Sequence, residues 1–598
     1  MPLRQKLTFL TQILVWSLVF LLGACSTPNL QPAPTTTPTA APIGTPQPLE
    51  RAAGLRGGVI PTVTLIPTPT IVPLPTPIPR KTIWIDPVLP TDIHDALVTQ
   101  LTAFAKDASD PTAQVEVTTT AEADVKIGAT SAITGVPLVT RTYAVAAPFP
   151  TITDSLTLDG LKRFWAGDGA ALVGLAADKT TTPTLFLDAD ARAALVLLLG
   201  QPASSLNAQL VQTPGVLAAT WAARPASFAI VPFDQLEARW KLLQLDGINL
   251  FERDANMAAY GLNLVVRASG DPNLVGQIAA KVPATTNRDV SKMAIVAMTG
   301  TTAMVRGTAV KMEQKGITYP GQKIRDWMTT ADIRHVSNEL SFWDQCPKPT
   351  QESGLTMCSS PKYMELLQYV GTNLIELTGN HLWDYGARLL LPTLDLYDKA
   401  GMRYFGGGRT IEDALKPLTM TVNGNKLAFI GCNYFGVDWA TADTPGSAPC
   451  SPNDPKDLTY QINTIKKLRT DGYQVIATLQ YEEYYFYEST PQQLRDFASL
   501  RDAGAAVVNG SQGHHVQGFD VSAAGFIHWG TGNLFFGDQT FMKGTQQTFV
   551  DRHVFYDNKY LGTDLRSAMI QDASQPRPMT PDERADLLKT LFAVSRFH

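Results

Sequence analysis

The chain has 598 residues, 44% of them apolar and 17% charged, with a formal net charge of −5. That describes a folded protein poor in charge, long enough for three or four domains of roughly 150 residues each. The acidic balance gives no footing for nucleic acid, whose binding needs concentrated Lys and Arg.

The amino terminus reads as an export signal. Arg4 and Lys6 precede an apolar run from Leu7 to Ala24, which ends LLGAC. A charged segment, an apolar segment and small residues before a cysteine make up that pattern. It resembles the lipobox of bacterial lipoproteins, so residues 1–24 are expected to be the signal peptide and Cys25 the acylated first residue of the mature chain. The expected location is extracytoplasmic, held to the bacterial membrane through lipid. Residues 25–79 follow as a stalk: 14 of the chain's 42 prolines fall between Pro28 and Pro79. Such a composition cannot bury a core, and proline biases it to extended polyproline II.

From 80 to 288 strand and helix signals alternate. Thr82–Asp86 is a predicted strand. Ile93, Leu97, Leu101 and Phe104 mark one face of a helix that Thr91 or Asp92 can cap. Val125–Gly128, Tyr143–Ala147 and Phe228–Val231 are further strands, and Thr157–Trp165 a helix. The order RTYAVAAPFP, SLTLDGLKRFWAG and SFAIVPFDQLEARWKLLQLDG resembles extracytoplasmic solute-binding proteins of the phosphate-receptor type. This segment has no Gly/Ser-rich phosphate loop, so no binding residue is carried over. It is expected to be either a structural module or a receptor that captures a small solute.

From 292 to 598 the same alternation predicts a layered α/β domain. Strands are expected at Met293–Met298, Leu427–Gly431, Gln474–Leu479 and Ala505–Asn509. Helices are expected at Pro361–Tyr369, Tyr460–Leu468 and Gln492–Asp502. The stretch TGNHLWDYG, Thr378–Gly386, follows the apolar run Val370, Leu374, Ile375 and Leu377. That places Asn380, His381 and Asp384 at the carboxyl end of a strand, where open α/β sheets hold ligands. An Asn carbonyl can ligate a hard cation, a His can protonate a leaving group, and Asp384 can orient the imidazole. The reading without chemistry is a hydrogen-bonded turn. His335 and His528 stand beside apolar strand residues and are expected to be structural, and His515 an exposed neighbour of a turn. The tyrosines 481, 484, 485 and 487, with Phe486, are either edge core or a groove lining.

Four cysteines fall into two local pairs, Cys346 with Cys358 and Cys432 with Cys450. An exported chain meets an oxidising compartment where such pairs close. Each disulfide stabilises by about 3 kcal/mol in a loop-entropy account. The spacings do not match those of a zinc knuckle.

The ordered set GTTAMVRG, SNELSF, TGNHLWDYG, TLQYEEYY, NGSQGHHVQGFD and HWGTGNLFFGDQ resembles the CapA family of capsule and poly-γ-glutamate synthesis proteins, relatives of calcineurin-type metallophosphatases. The resemblance implies a metallophosphatase-like α-β-β-α sandwich behind the amino-terminal periplasmic-binding-protein-like α/β domain. Carried over position by position, it implies roles for Glu339, Asn380, His381 and Asp384. Asn533 and Asp538 match the family's closing region. The family's Gly-Asp loop has Thr301 here. Its His-Trp-Gly-x-Glu-Tyr run becomes Gln480–Tyr485, with Tyr484 or, after a slip of one, Glu483 at the acidic position. Its Gly-x-His-Pro-His keeps only His514, and Gln512 replaces the earlier His.

A two-metal hydrolase needs carboxylate and imidazole donors to offset dehydration of each cation and to lower the pKa of bound water. Thr301, Gln480 and Gln512 argue against a tight dinuclear centre. One weakly held divalent cation beside Glu339, Asn380 and His514, or a metal-free cleft, remains. The expected function is a membrane-anchored surface lipoprotein acting in synthesis, export or attachment of an extracellular polymer, its partners being that polymer or the machinery that makes it. The alternatives are a metal-dependent phosphodiester or amide hydrolase with His381 as acid, and a solute receptor on a CapA-like scaffold.

Overall fold

Strands of the carboxyl-terminal half are buried on both faces, and their side chains divide with the period of two that a pleated strand imposes. In Met293–Thr299, Ala294, Val296 and Met298 join a core with Leu427, Phe429, Ile476 and Val507 of a facing sheet. The alternate residues Met293, Ile295 and Ala297 pack instead with Ala309 and Met312 of the helix Arg306–Lys315. The facing sheet repeats the division. Its Ala428, Ile430, Val475 and Ala477 pack with Ile465, Leu468, Phe497 and Leu500 of helices Thr459–Thr470 and Pro491–Asp502. The layers therefore run α-β-β-α, as the resemblance implied.

The computed structural model describes residues 80–107, 114–351, 354–537 and 539–598. The expected signal peptide, Cys25 and the stalk lie outside the described residues. Among those described, no helix is long and apolar enough to cross a membrane. The first carboxyl-terminal sheet places Arg403–Phe405, Leu374–Glu376, Ile333–Asn338 and Met293–Thr299 side by side in parallel. The long hairpin Gln547–Tyr556 and Lys559–Gln571 then continues it antiparallel. In the second sheet Asn425–Asn433, Gln474–Gln480, Ala505–Ser511 and Gly525–His528 are parallel neighbours. Both parallel sets point the same loops, those after strand carboxyl ends, toward one rim.

The amino-terminal part is a mixed sheet. Its path runs Gln114–Thr118, Arg80–Ile85, Val125–Gly128, Asn263–Gly270, Val136–Pro148, Ser227–Pro232, Thr184–Leu187 and Ala208–Leu210. Thr91–Asp107 buries Ile93, Leu97 and Leu101, the stripe the sequence marks. Leu158–Trp165 starts where Thr157 accepts a hydrogen bond from the Gly160 amide.

Thr76–His598 holds together as one unit, and the contacts responsible are specific. Phe149, 2% exposed, inserts edge-on against Phe519, Phe526 and Phe592, with ring centroids 5.8, 5.5 and 6.0 Å away. Glu252 receives Arg552 at 2.7 Å and Arg566 at 2.8 Å. Asp154 receives Arg584 at 2.6 Å and Lys241 at 2.7 Å. At the amino end of Met293–Thr299, Arg253 donates to the Met293 carbonyl and to Asp332, both at 2.5 Å. The two expected disulfides are present, Cys346–Cys358 and Cys432–Cys450.

Truncating Phe149 to alanine removes an aromatic plug between the amino-terminal sheet and the sandwich. The expected cost is about 3 kcal/mol, read as a fall in the urea midpoint at unchanged disulfide content. A loss below ~1 kcal/mol would show that the junction is held by its ion pairs alone.

Candidate functional site

The residues that gather here sit one to five positions beyond a strand's carboxyl end, or on its last residue, with Asp384 eight beyond. Glu339 follows Ile333–Asn338, Asn380 and His381 follow Leu374–Glu376, Gln480 ends its strand, and Gln512 and His514 follow Ala505–Ser511. The loops meet backbone to backbone. A Cβ on Gly379 would lie 2.5 Å from the Glu339 carbonyl oxygen, so glycine is required there. The His381 amide donates to that same carbonyl at 3.3 Å. Gln512 (φ 75°) and His514 (φ 47°) hold left-handed backbone conformations that cost side-chain-bearing residues about 1 kcal/mol or more each. Such strain persists only where the surroundings impose it.

One amide gathers the group. Gln480 Nε2 donates to Glu339 Oε1 at 3.2 Å, to Asn380 Oδ1 at 3.0 Å and to Gln512 Oε1. Its Oε1 accepts from Ser511 Oγ at 2.7 Å. Asn533 Oδ1 accepts from His514 Nδ1 at 2.8 Å, leaving His514 Nε2 3.9 Å from Glu339 Oε1. Thr301 Oγ1 accepts from the Gln512 amide at 3.4 Å. Glu339 is 1% exposed, and its Oε2 has no hydrogen-bond partner.

Beside this group lies a pair with acid–base character. His381 Nδ1 contacts Asp384 Oδ2 at 2.8 Å, and both side chains are partly exposed. Burial opposes the imidazolium, but the Asp384 hydrogen bond and the charges of Glu339, Asp384 and Asp438 outweigh it and raise the His381 pKa. Nδ1–H therefore donates to Asp384 and Nε2 is turned to other use. Asp384 also accepts from the Met357 amide at 2.6 Å. Asp438 accepts from the Trp383 amide at 3.1 Å. Burial and the neighbouring Asp384 push the Asp438 carboxyl up to about 6, against a pull downward from His381. Met357 and Tyr385 join the site to a cavity of about 550 Å³, lined also by Lys348, Lys362 and Tyr363.

Glu339, Asn380, His514, Asn533, Thr301, Gln480 and Gln512 thus come together, with His381 and Asp384 adjoining. Glu483 and Tyr484 are not brought to them: Glu483 is exposed and accepts from Tyr485, and the Tyr484 ring lies 4.8 Å from that of Phe486. Asp538 lies outside the described residues. Of the other tyrosines, Tyr481 is core, stacked on Tyr434 at 4.5 Å and bonded to Asp496. His515, expected to be exposed, is 2% exposed and bonded to the Val516 carbonyl, because Tyr487 closes over it. His335 and His528 are buried against Glu376 and Asp551.

Three participants escaped the sequence reading: Glu376, Ser511 and Asp438. Glu376 accepts from His335 at 3.0 Å and from Thr378 at 2.5 Å, and Ser511 Oγ, whose proton goes to Gln480, lies 3.3 Å away, continuing the network beneath Gln480. A carboxylate amid Leu374, Ile375 and Leu377 was the available signal. Asp438, in a loop, left none.

A dinuclear transition-metal centre does not fit these donors. Among the described residues, no three His, Cys, Asp or Glu side chains are grouped to hold a metal ion. The oxygens that converge already face an N–H donor.

The arrangement is an α-β-β-α domain with a polar, acid-bearing site at the strand ends. Residues 295–538 match the family described as bacterial capsule synthesis protein PGA_cap. The chain is 24% identical over 288 residues to the capsule biosynthesis protein CapA of Bacillus anthracis, covering 47% of this chain and 69% of that protein. It is 25% identical over 247 residues to the PGA biosynthesis protein CapA of Bacillus subtilis (strain 168), covering 40% and 63%. Among solved structures, an ABC-type phosphate transport receptor from Vibrio cholerae is similar at 12% identity, with a TM-score of 0.27 over 34% of this chain and 93% of that one. The protein TT1561 of Thermus thermophilus is similar at 10% identity, with a TM-score of 0.24 over 44% and 99%.

Replacing Asp438 with asparagine tests the electrostatics. The folded pKa lies above the unfolded value near 4, so the folded state holds this proton longer and stability falls as pH rises from about 4 to about 6. Asp438→Asn is expected to stabilise by about 1 to 2 kcal/mol at pH 8, with the gain vanishing below about pH 4. Denaturant titrations at the two pH values read it. A gain of equal size at both would place the effect in packing.

Proposed function

We propose that this chain is an extracytoplasmic, lipid-anchored protein whose CapA-family domain acts in synthesis, export or attachment of a capsular polymer of the poly-γ-glutamate class. The observation that carries the reading is the family match at 295–538, in a domain whose polar loops converge at one rim. The lipid anchor is supported by Arg4, Lys6, the apolar run and Cys25. The proposed organisation is signal peptide 1–24, stalk 25–79, solute-binding-protein-like domain 80–288 and CapA-like domain 292–598.

The polymer contacts would come from His381 and Asn380, at the rim of the cleft around Glu339 and His514, with His381 positioned by Asp384. An anionic polymer needs cations, and two are near: His381, whose pKa is raised, and Lys348 of the adjoining cavity, where Lys362 is already paired with Glu313 at 2.5 Å. The buried carboxylates oppose polyanion binding, so recognition rests on those cations.

The His381–Asp384 contact favours a second reading, hydrolysis of a polymer amide. Water would add to the carbonyl, the C–N bond would break, His381 Nε2 would pass its proton to the leaving nitrogen, and the proton lost by the water would return to His381.

Poly-γ-glutamate binding measured by thermophoresis is expected to weaken at least tenfold, about 1.4 kcal/mol, in His381→Asn. In the unaltered protein binding should decline as pH rises through the His381 pKa, because the imidazolium is lost; the variant should be flat over that range. Equal affinity and an equal pH profile in the two proteins would remove the cleft from polymer recognition. Release of new amino termini from the polymer by the unaltered protein would select the hydrolytic reading.

A further inference from the structure

We propose that the amide group of Gln480 takes the place of a metal ion in this site, so that the loops are assembled by hydrogen bonds where a metallohydrolase would use a cation. The inference is independent of which polymer is bound.

Three oxygens from three separate loops, Glu339 Oε1, Asn380 Oδ1 and Gln512 Oε1, face one nitrogen. That convergence of oxygens on one point is what a hard cation usually commands. Here the point is held by an NH₂ group with two protons and therefore fewer donors than acceptors. The orientation of the amide is fixed on its other side. Ser511 Oγ lies 2.7 Å from Gln480 Oε1 and donates to it. Turned over, Gln480 would set its own oxygen against the Glu339 carboxylate and leave Glu339 Oε1 without its donor.

Charge leads to the same conclusion. Glu339, Gln480 and Gln512 are 1%, 1% and 2% exposed. A carboxylate this buried needs donors or an opposite charge. The amide supplies Oε1, while Oε2 remains without a partner. The site is therefore short of positive charge, and the one imidazole at its edge, that of His514, stays 3.9 Å from Glu339 Oε1. Gln512 and His514, in left-handed conformations, present amide and imidazole from a loop bent to reach this point. An NH₂ dipole cannot lower the pKa of a bound water as a divalent cation does. The consequence is a cleft built to bind and orient, with no metal-activated water.

The isosteric change Gln480→Glu tests this in the full chain. It swaps the NH₂ for an oxygen and sets a second carboxylate against Glu339. The variant is expected to lose several degrees of Tm in EDTA and to recover them in about 5 mM MnCl₂ or CaCl₂, as ligand binding to the folded state requires. The unaltered protein should change by less than about 1 °C under the same additions. It should also carry less than about 0.1 equivalent of metal after purification, since one carboxylate among neutral oxygens holds a divalent ion weakly. Gln480→Met, which has neither donor nor charge, should lose stability without recovery by either salt. A stoichiometric metal in the unaltered protein, or a salt-specific rise in its Tm matching that of Gln480→Glu, would overturn the proposal. So would an unchanged Tm for Gln480→Glu in EDTA. Should that variant fail to fold, metal content and the MnCl₂ and CaCl₂ titrations of the unaltered protein decide alone.

Discussion

A buried carboxylate must be answered, and Glu339 sets the terms for everything around it. Its side chain is nearly inaccessible, and the answer comes from Gln480 on the opposite sheet. A hydrogen bond between sheets at this depth ties their registers together. The last residue of Gln474–Gln480 must end level with the loop after Ile333–Asn338, and its pairing with Ser511 on the next strand keeps it there. Beneath it Ser511, Glu376 and His335 continue the polar chain into the layer between the sheets. The Thr299 amide donates to His335 Nδ1, which leaves Nε2–H for Glu376 and fixes the tautomer. The sandwich therefore has a greasy middle and a polar rim, joined by a defined line of donors and acceptors.

The rim concentrates features that folding alone does not favour. Two non-glycine residues take left-handed backbone, a carboxylate oxygen lacks a partner, and Asp384 and Asp438 stand close enough for one to raise the pKa of the other. Each works against stability, and together they coincide with the loops that match the capsule family. Strain and perturbed titration gathered at one place are common at binding and reacting sites.

Much of the layered architecture was legible because period-two burial and short apolar runs report strands well. Gln474–Leu479 was expected and Gln474–Gln480 is found; Leu427–Gly431 was expected and Asn425–Asn433 is found. The hairpin Gln547–Gln571 was missed for a physical reason. It carries Asp551, Arg552, His553, Asp564 and Arg566, which read as solvent-facing, yet Asp551 and His553 are fully buried and Arg552 is matched by Glu252 from the amino-terminal sheet. The last helix, Pro581–Val594, was signalled by a capping box, Thr580 with Glu583, that the apolar pattern did not bring forward. In the site, Asn380 and His381 were marked by the strand that precedes them, and Glu339 and His514 only by the family resemblance. What joins them, the orientation of one amide and the depth of one glutamate, is tertiary and leaves no local trace.

The amino-terminal sheet grips the sandwich where its parallel strands begin, through Arg253 at Met293 and Asp332, while the acidic loops open where those strands end. The two working ends of the domain are thus separated by the full length of a strand. Immobilising the protein on a sensor or bead through the amino-terminal sheet would leave the mouth unobstructed, and long chain-like ligands could approach it without steering around the attached half. A handle inserted near the hairpin tip at Asp557 and Asn558 would share that advantage, since the tip pairs beside Met293 at the gripped end.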